Sequence, residues 1–406
     1  MTTSPRRRPC SPTLLAASAV LPLLCAPAWA EGNPYYLGAA LTVTQDSNVR
    51  RAREGSEQSD TITAAGVRLG VDQALGRGRL VLDGSANSNR YSRAADLNHV
   101  DYALLGRLDW ATVERLSGTV AVNGAQQLYR DSARADQART VVRSEGISAQ
   151  AALGVVTRLS FEAGVSASRV RYDNTLYRSN DLDQKSAFGG LRFAPSPDLS
   201  LRTRLRRTDI DYPTYSTLGA NSVRRNELEI GSTWRPSGAS TLDAQLSRAR
   251  DTHSIVAGRN FDSWTGGLSW NWRASGKTGV GLSLKRESSV GSYGDYGLPG
   301  LDTGEAKLRT AVNLNTSWEA TGKIRLTAGL GYARRNLDGA FSTAASQPTT
   351  DTTSSASIGM VYTLLRNVEL GCSVAHENRS VGNEASTLTY PYSDTLVRCY
   401  GEVFLR

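Results

Sequence analysis

The side chains that could do chemistry in this 406-residue chain are few and scattered. Its histidines, His99, His253 and His376, lie far apart, and none has the spacing of a metal-ligand set. No serine pairs with a histidine on one face in the way a membrane hydrolase requires. Pieces such as Gly329-Leu330-Gly331 sit inside extended runs, where glycine eases close packing rather than holding phosphate. These residues point to no enzyme, no cofactor and no metal. Of the cysteines, Cys10 and Cys25 fall in an N-terminal leader, which leaves Cys372 and Cys399. Two cysteines in an exported chain suggest one disulfide. We read them as a cross-strand bridge pinning the last two strands; the alternative is two free buried thiols.

The charged residues are more informative, because they alternate with apolar ones. Leu201, Thr203 and Leu205 alternate with Arg202, Arg204 and Arg206. A charge on a lipid-facing barrel wall at mid-membrane costs roughly 2–4 kcal/mol. If the apolar set faces lipid, the arginines face a lumen. The same logic puts Arg192, Lys307, Arg309, Arg325, Glu162, Glu227 and Glu229 inside, with Leu228 and Ile230 outside. Two readings follow. Arg204 and Arg206 opposite Glu227 and Glu229 would pair and stiffen the wall. A surplus of inward cations would draw an anionic solute into a pore, since rings of arginine and lysine select anions and low-dielectric walls focus the field. Both can hold, and the inward arginines are expected to outnumber the inward acids.

The elements that must position these residues are strands. From Tyr35 onward the pattern has period two rather than 3.6. Leu159, Phe161, Ala163, Val165 and Ala167, for example, alternate with Ser160, Glu162, Gly164, Ser166 and Ser168. The runs are long enough to cross a tilted bilayer, for which about 9–11 residues suffice. Short connections, such as Ala74–Gly78 and Arg235–Ala239, alternate with long polar ones, such as Gln45–Ser59, Pro213–Ser222 and Glu377–Ser393. Short periplasmic turns and longer outer loops are the asymmetry of an outer-membrane barrel. The spacing predicts an all-β transmembrane antiparallel barrel of about 18 strands, in the range 16–18, with both termini periplasmic. Tyr91, Tyr129, Tyr172 and Tyr212 end strands running toward long loops, and Trp110, Trp234, Trp272 and Trp318 end strands running toward short turns. We expect them to form two interfacial girdles. A soluble sandwich, propeller or solenoid also alternates, but its strands are usually about five or six residues.

The N-terminus agrees with export. Arg6-Arg7-Arg8, an apolar run from Leu14 to Leu24 and Ala28-Trp29-Ala30 form a secretory signal, so residues 1–30 are expected to be cleaved and 31–406 to form one barrel domain. Leu24 is a poor neighbour for a lipidated Cys25. The formal charge of +9 is carried mostly by arginine. Basic balance can signal nucleic acid, but export and the spread of the arginines argue against it. The partners expected are outer-membrane lipids and lipopolysaccharide of a Gram-negative-type bacterium.

One segment carries a resemblance. Leu41-Thr42-Val43-Thr44-Gln45-Asp46-Ser47-Asn48-Val49-Arg50, followed by Asp60-Thr61-Ile62-Thr63, resembles the EpsL-type outer-membrane proteins of exopolysaccharide biosynthesis operons. Strand ends at Arg90-Tyr91, Tyr129-Arg130 and Arg171-Tyr172 fit the same pattern. The resemblance implies a channel guiding a polysaccharide substrate, with periplasmic export partners, and no catalytic residues. It leaves two rivals: a general diffusion porin of anion preference, and a non-conducting structural or polysaccharide-binding surface barrel.

Overall fold

Strands that are apolar on one face and polar on the other bury nothing until their sheet closes or packs. In a computed structural model of the protein the sheet closes on itself. Its strands are β1 (Tyr35–Asp46), β2 (Asp60–Leu75), β3 (Gly78–Tyr91), β4 (His99–Ala111), β5 (Leu116–Leu128), β6 (Val141–Leu153), β7 (Leu159–Tyr172), β8 (Leu182–Ser196) and β9 (Leu199–Ser216). The second half comprises β10 (Gly219–Ser237), β11 (Ser240–His253), β12 (Phe261–Arg273), β13 (Thr278–Glu287), β14 (Ala306–Glu319), β15 (Ile324–Leu337), β16 (Thr349–Leu365), β17 (Val368–Val381) and β18 (Tyr392–Leu405). Each strand pairs antiparallel with its sequence neighbours, and β1 pairs with β18 to complete an 18-strand barrel. The structure describes residues 34–113, 115–130, 139–154, 158–216, 219–255, 260–288, 306–337, 348–386 and 388–405. The leader at 1–30 lies outside these described residues.

Both ends of the barrel strand set, Tyr35 and Leu405, lie at the short-turn end, where Leu37 sits opposite Leu405. The tightest turns there are two residues long. At the β2–β3 turn Gly76 has φ +59°, a value only a residue without Cβ adopts freely. The other end carries the longer connections, with one exception. The stretch Pro213–Ser222, expected as a loop, is mostly strand: β9 runs to Ser216 and β10 begins at Gly219. Asn221 pairs with Tyr212 just before Pro213 and, after a register shift, Gly219 pairs with Ser216 beyond it, so the ladder continues past the proline and overrides its local turn character.

The outward face is apolar. On β7 it reads Leu159, Phe161, Ala163, Val165 and Ala167, and the first charge is Arg169. Ten residues at a rise of about 3.3 Å, tilted about 40°, give a height of about 25 Å, the thickness of a barrel's apolar band. Beyond Trp29, every tryptophan projects from this outer wall: Trp110, Trp234, Trp270, Trp272 and Trp318 toward the short-turn end and Trp264 toward the other. Trp234 and Trp318 are about half exposed, at 47% and 50%.

The tyrosines are a correction. Tyr91 and Tyr172 are 6% and 4% exposed and point into the barrel, not at lipid. Tyr91 is in register with Ile62, and Tyr172 with Val142, both on the inward side. Tyr172, with Tyr129 and Tyr212, packs on inward Val142, Val170, Leu182, Ile210 and Val223, while Tyr91 belongs to a separate cluster. A 3-10 turn at Thr175–Asn180 folds over this patch and seats Tyr177 in it. Tyr129 meets Tyr172 and Tyr177 edge-on, with ring centroids 5.1 and 5.3 Å apart. On the other side Val49 and Leu97 cover Tyr91. The tyrosine repeat therefore builds an inner collar at the mouth with the longer loops. Its physical basis is burial: inward aliphatic residues at the mouth offer the rings a dry seat that outer-wall headgroups do not.

Candidate functional site

The lumen wall is formed by the polar half of each alternation. Arg192, Arg202, Arg204, Arg206, Arg309, Arg325, Glu162, Glu227 and Glu229 all lie on it. Lys307 lies in β14, but its side chain is outside the described residues. The expected excess of inward arginine is not found. Carboxylates such as Asp83, Asp101, Asp109, Glu369 and Glu402 share the inward face, and among the described residues the inward acids are no fewer than the inward bases. A lumen in contact with protein on all sides has a lower effective dielectric than bulk water, so most charges there find partners.

The partners differ from those adjacency suggests. Arg204 is in register with Glu229, and Arg206 with Glu227. Yet Arg206 bonds diagonally to Glu229 at 2.5 Å, and Arg204 reaches past β8 to Glu162 on β7, also at 2.5 Å. Glycine makes the long reach feasible. Glu162, Gly190 and Arg204 occupy one row across three strands. A Cβ at Gly190 would overlap the Thr203 carbonyl oxygen and come within 2.7 Å of Arg204 Cγ. Arg204 can lie across β8 only because nothing projects there. Phe188 supports both cations from below, with guanidinium carbons 4.7 Å (Arg204) and 4.9 Å (Arg206) from its ring centroid. Glu227 keeps one carboxylate oxygen, Oε2, without a hydrogen-bond partner. Arg309 pairs with Glu287 at 3.4 Å. Arg204, Arg206 and Arg309 with their glutamates form the paired part of the wall.

A second set is not paired. Arg192 and Arg202 sit directly opposite each other on β8 and β9, near the short-turn end. Neither has a carboxylate within 4.0 Å among the described residues, and the same is true of Arg325 on β15. Like charges directly opposite in a ladder repel. Arg202 leans over Gly231 of β10, where an added Cβ would lie 2.6 Å from Nε. The wall thus carries two guanidinium groups side by side with no contact ion pair among the described residues, each with a planar fork of donors suited to carboxylate or phosphate.

Cys372 and Cys399, in register on β17 and β18, form a disulfide on the outer wall. The residues behind the family resemblance serve the loops. Asp46 Oδ1 accepts from the Asn48 amide at 2.8 Å. Asn48 is fully buried; its carboxamide accepts from Ala52 N and donates to the Ala52 and Ser393 carbonyls. Asp60 accepts from the amides of Thr61, Arg93 and Ala94. Together they fasten the first two loops over the mouth. The three histidines stay apart: His99 packs beside Tyr91, His253 contacts Asn221, and His376 faces outward against Thr395. No group of three or more metal-ligating side chains occurs among the described residues.

No family model matches the chain, and no curated protein matches its sequence. Among solved structures it is similar to OpdL of Pseudomonas aeruginosa, with a TM-score of 0.48 at 13% identity over 92% of this chain and 98% of that one. It is likewise similar to OccK1 (OpdK) of Pseudomonas aeruginosa, at 0.48 and 12% over 92% and 100%. The siderophore receptor PirA of Acinetobacter baumannii gives 0.44 and 7% over 92% and 81%. At such scores the likeness says nothing of what this barrel passes or binds.

Proposed function

We propose that the chain is a porin-type channel of the outer membrane that favours small anionic solutes. One observation carries this reading: Arg192 and Arg202 face the lumen side by side with no carboxylate at ion-pair distance among the described residues. In a lumen where Arg204, Arg206 and Arg309 are paired with glutamate, this side-by-side pair is where an anion gains most and a cation loses most. The preference is local and modest, because the inward wall as a whole carries both signs. In this reading the short turns and both chain ends face the periplasm, and the tyrosine collar narrows the outer mouth.

Liposome swelling tests it. Vesicles carrying the refolded barrel should admit gluconate faster than glucose, and glucose faster than glucosamine. Equal rates, or a faster cation, would contradict the proposal. A second reading, passage of an acidic exopolysaccharide, rests on the segment around Asp46-Ser47-Asn48. Those residues have a sufficient role in holding loops, which favours the small-solute reading. Blockade of swelling by low concentrations of an acidic polysaccharide would reverse that preference.

A further inference from the structure

The outer wall is asymmetric above its apolar band. On the arc from β6 to β15 the outward residues at the long-loop end include Arg143, Arg169, Arg171, Arg250, Arg286 and Arg334. On this arc basic side chains outnumber carboxylates among the described residues. Across β16 to β2 the same level carries Thr, Ser, Asn and Gln, as at Thr63, Asn378 and Thr395. Outward charge concentrated on one arc, at the height where the apolar band ends, has no role in the lumen.

At its β6–β7 edge the arc borders an open concavity of about 550 Å³ that extends to β4 and β5. Four arginines line it, Arg139, Arg143, Arg169 and Arg171, against two acids, Glu145 and Asp173. The acids do not neutralise it. Arg139 pairs with Asp173 at 3.0 Å, while Arg169 and Arg171 share one carboxylate, Asp183. Among the described residues Arg143 donates to the Gln126 carboxamide, at 3.1 Å, and to no carboxylate. Arg169 is 60% exposed at its side chain. Forked guanidinium donors gathered on an outward wall at headgroup height match a phosphate in geometry as well as charge.

We propose that this concavity binds the phosphorylated headgroup of an outer-leaflet glycolipid, that is, the lipid A phosphates of lipopolysaccharide. The proposal rests on the outer-membrane placement above but not on conduction. The uncharged arc β16–β2 is left as the face without bound glycolipid.

The test uses the refolded full barrel in detergent and fluorescent lipopolysaccharide. Three probes are compared: intact lipopolysaccharide, the same lipid enzymatically dephosphorylated, and inorganic phosphate as competitor. Binding should weaken roughly a hundredfold on dephosphorylation, the product of three phosphate contacts at about fivefold each. The triple variant Arg143→Gln/Arg169→Gln/Arg171→Gln should lose a similar factor, while Thr63→Gln/Thr395→Gln should bind as the parent does. Equal affinity for the dephosphorylated lipid would overturn the proposal. Displacement by inorganic phosphate at matching concentration would assign the site to a free anion and overturn it as well. If the triple variant fails to fold, the dephosphorylation arm decides alone. A barrel that binds the lipid yet admits no solute would refute the channel and leave this site standing.

Discussion

Substituting Gly190 by alanine tests the account of the lumen wall most sharply, because its neighbour supplies the control. Gly190 faces inward between Glu162 and Arg204, and Gly189 faces outward. A Cβ at Gly190 would overlap the backbone carbonyl of Thr203 and press on Arg204 at Cγ and Cα, 2.7 and 3.0 Å away. A carbonyl cannot rotate aside, so β8 and β9 must separate. Overpacking of this kind costs about 1–3 kcal/mol. The displaced Arg204 also loses Glu162, leaving two part-buried charges apart. At Gly189 nothing lies within 4 Å of the added Cβ, so alanine should be neutral or stabilising by about 0.4–1 kcal/mol through the unfolded chain. The two variants should therefore differ by about 2 kcal/mol or more, readable as separate midpoints in guanidinium unfolding in lipid vesicles followed by tryptophan fluorescence. Coincident midpoints would refute the row Glu162–Gly190–Arg204.

Other consequences can be checked independently. Lipids brominated in their acyl chains should quench most of the intrinsic fluorescence, since every tryptophan after Trp29 projects from the outer wall; weak quenching would count against this orientation. The Cys372–Cys399 bridge closes a segment with a separation of 27, so reduction should lower stability by about 3–4 kcal/mol in a chain-entropy account, visible as a lower unfolding midpoint. Asn48→Ala removes three hydrogen bonds from a buried site and should expose the first loop to trypsin at Arg50, Arg51 or Arg53, with the barrel strands still protected; an unchanged digest would contradict the loop-fastening role. Tyr177→Ala should open the collar and raise single-channel conductance without changing its sign of selectivity.

Much of this architecture was legible because side-chain period and turn spacing are properties of sequence. The alternation of Leu201, Thr203 and Leu205 with arginine places those arginines in the lumen whatever their partners. Parity also held the answer for the tyrosines. Tyr91 shares the odd positions of Asp83 and Ser85, and Tyr212 the even positions of Arg202 and Arg204, which are inward. Reading them as a girdle followed their place at strand ends and overlooked the face they occupy. The tryptophans, such as Trp234 in phase with Leu228 and Ile230, satisfy both criteria. The ion pairs were not legible. Adjacent strands suggested Glu227 and Glu229 for Arg204 and Arg206, but the Arg204 partner depends on strand β8 having a glycine in the intervening row. The second glycine of Gly189-Gly190 was the available signal. The strand at Pro213 was hidden for a similar reason, since cross-strand pairing outweighs local turn propensity.

The central claim is that the unpaired arginines near the short-turn end set the preference of an aqueous channel. Its most direct test is the zero-current potential across a planar bilayer under a salt gradient, comparing the parent with Arg192→Gln/Arg202→Gln. The parent should show the sign of anion preference, and the double variant should move to zero or to cation preference, because Arg204, Arg206 and Arg309 are paired with glutamate and, among the described residues, the inward acids are no fewer than the inward bases. An unchanged potential in the folded double variant, or a silent bilayer with the folded parent, would contradict the account.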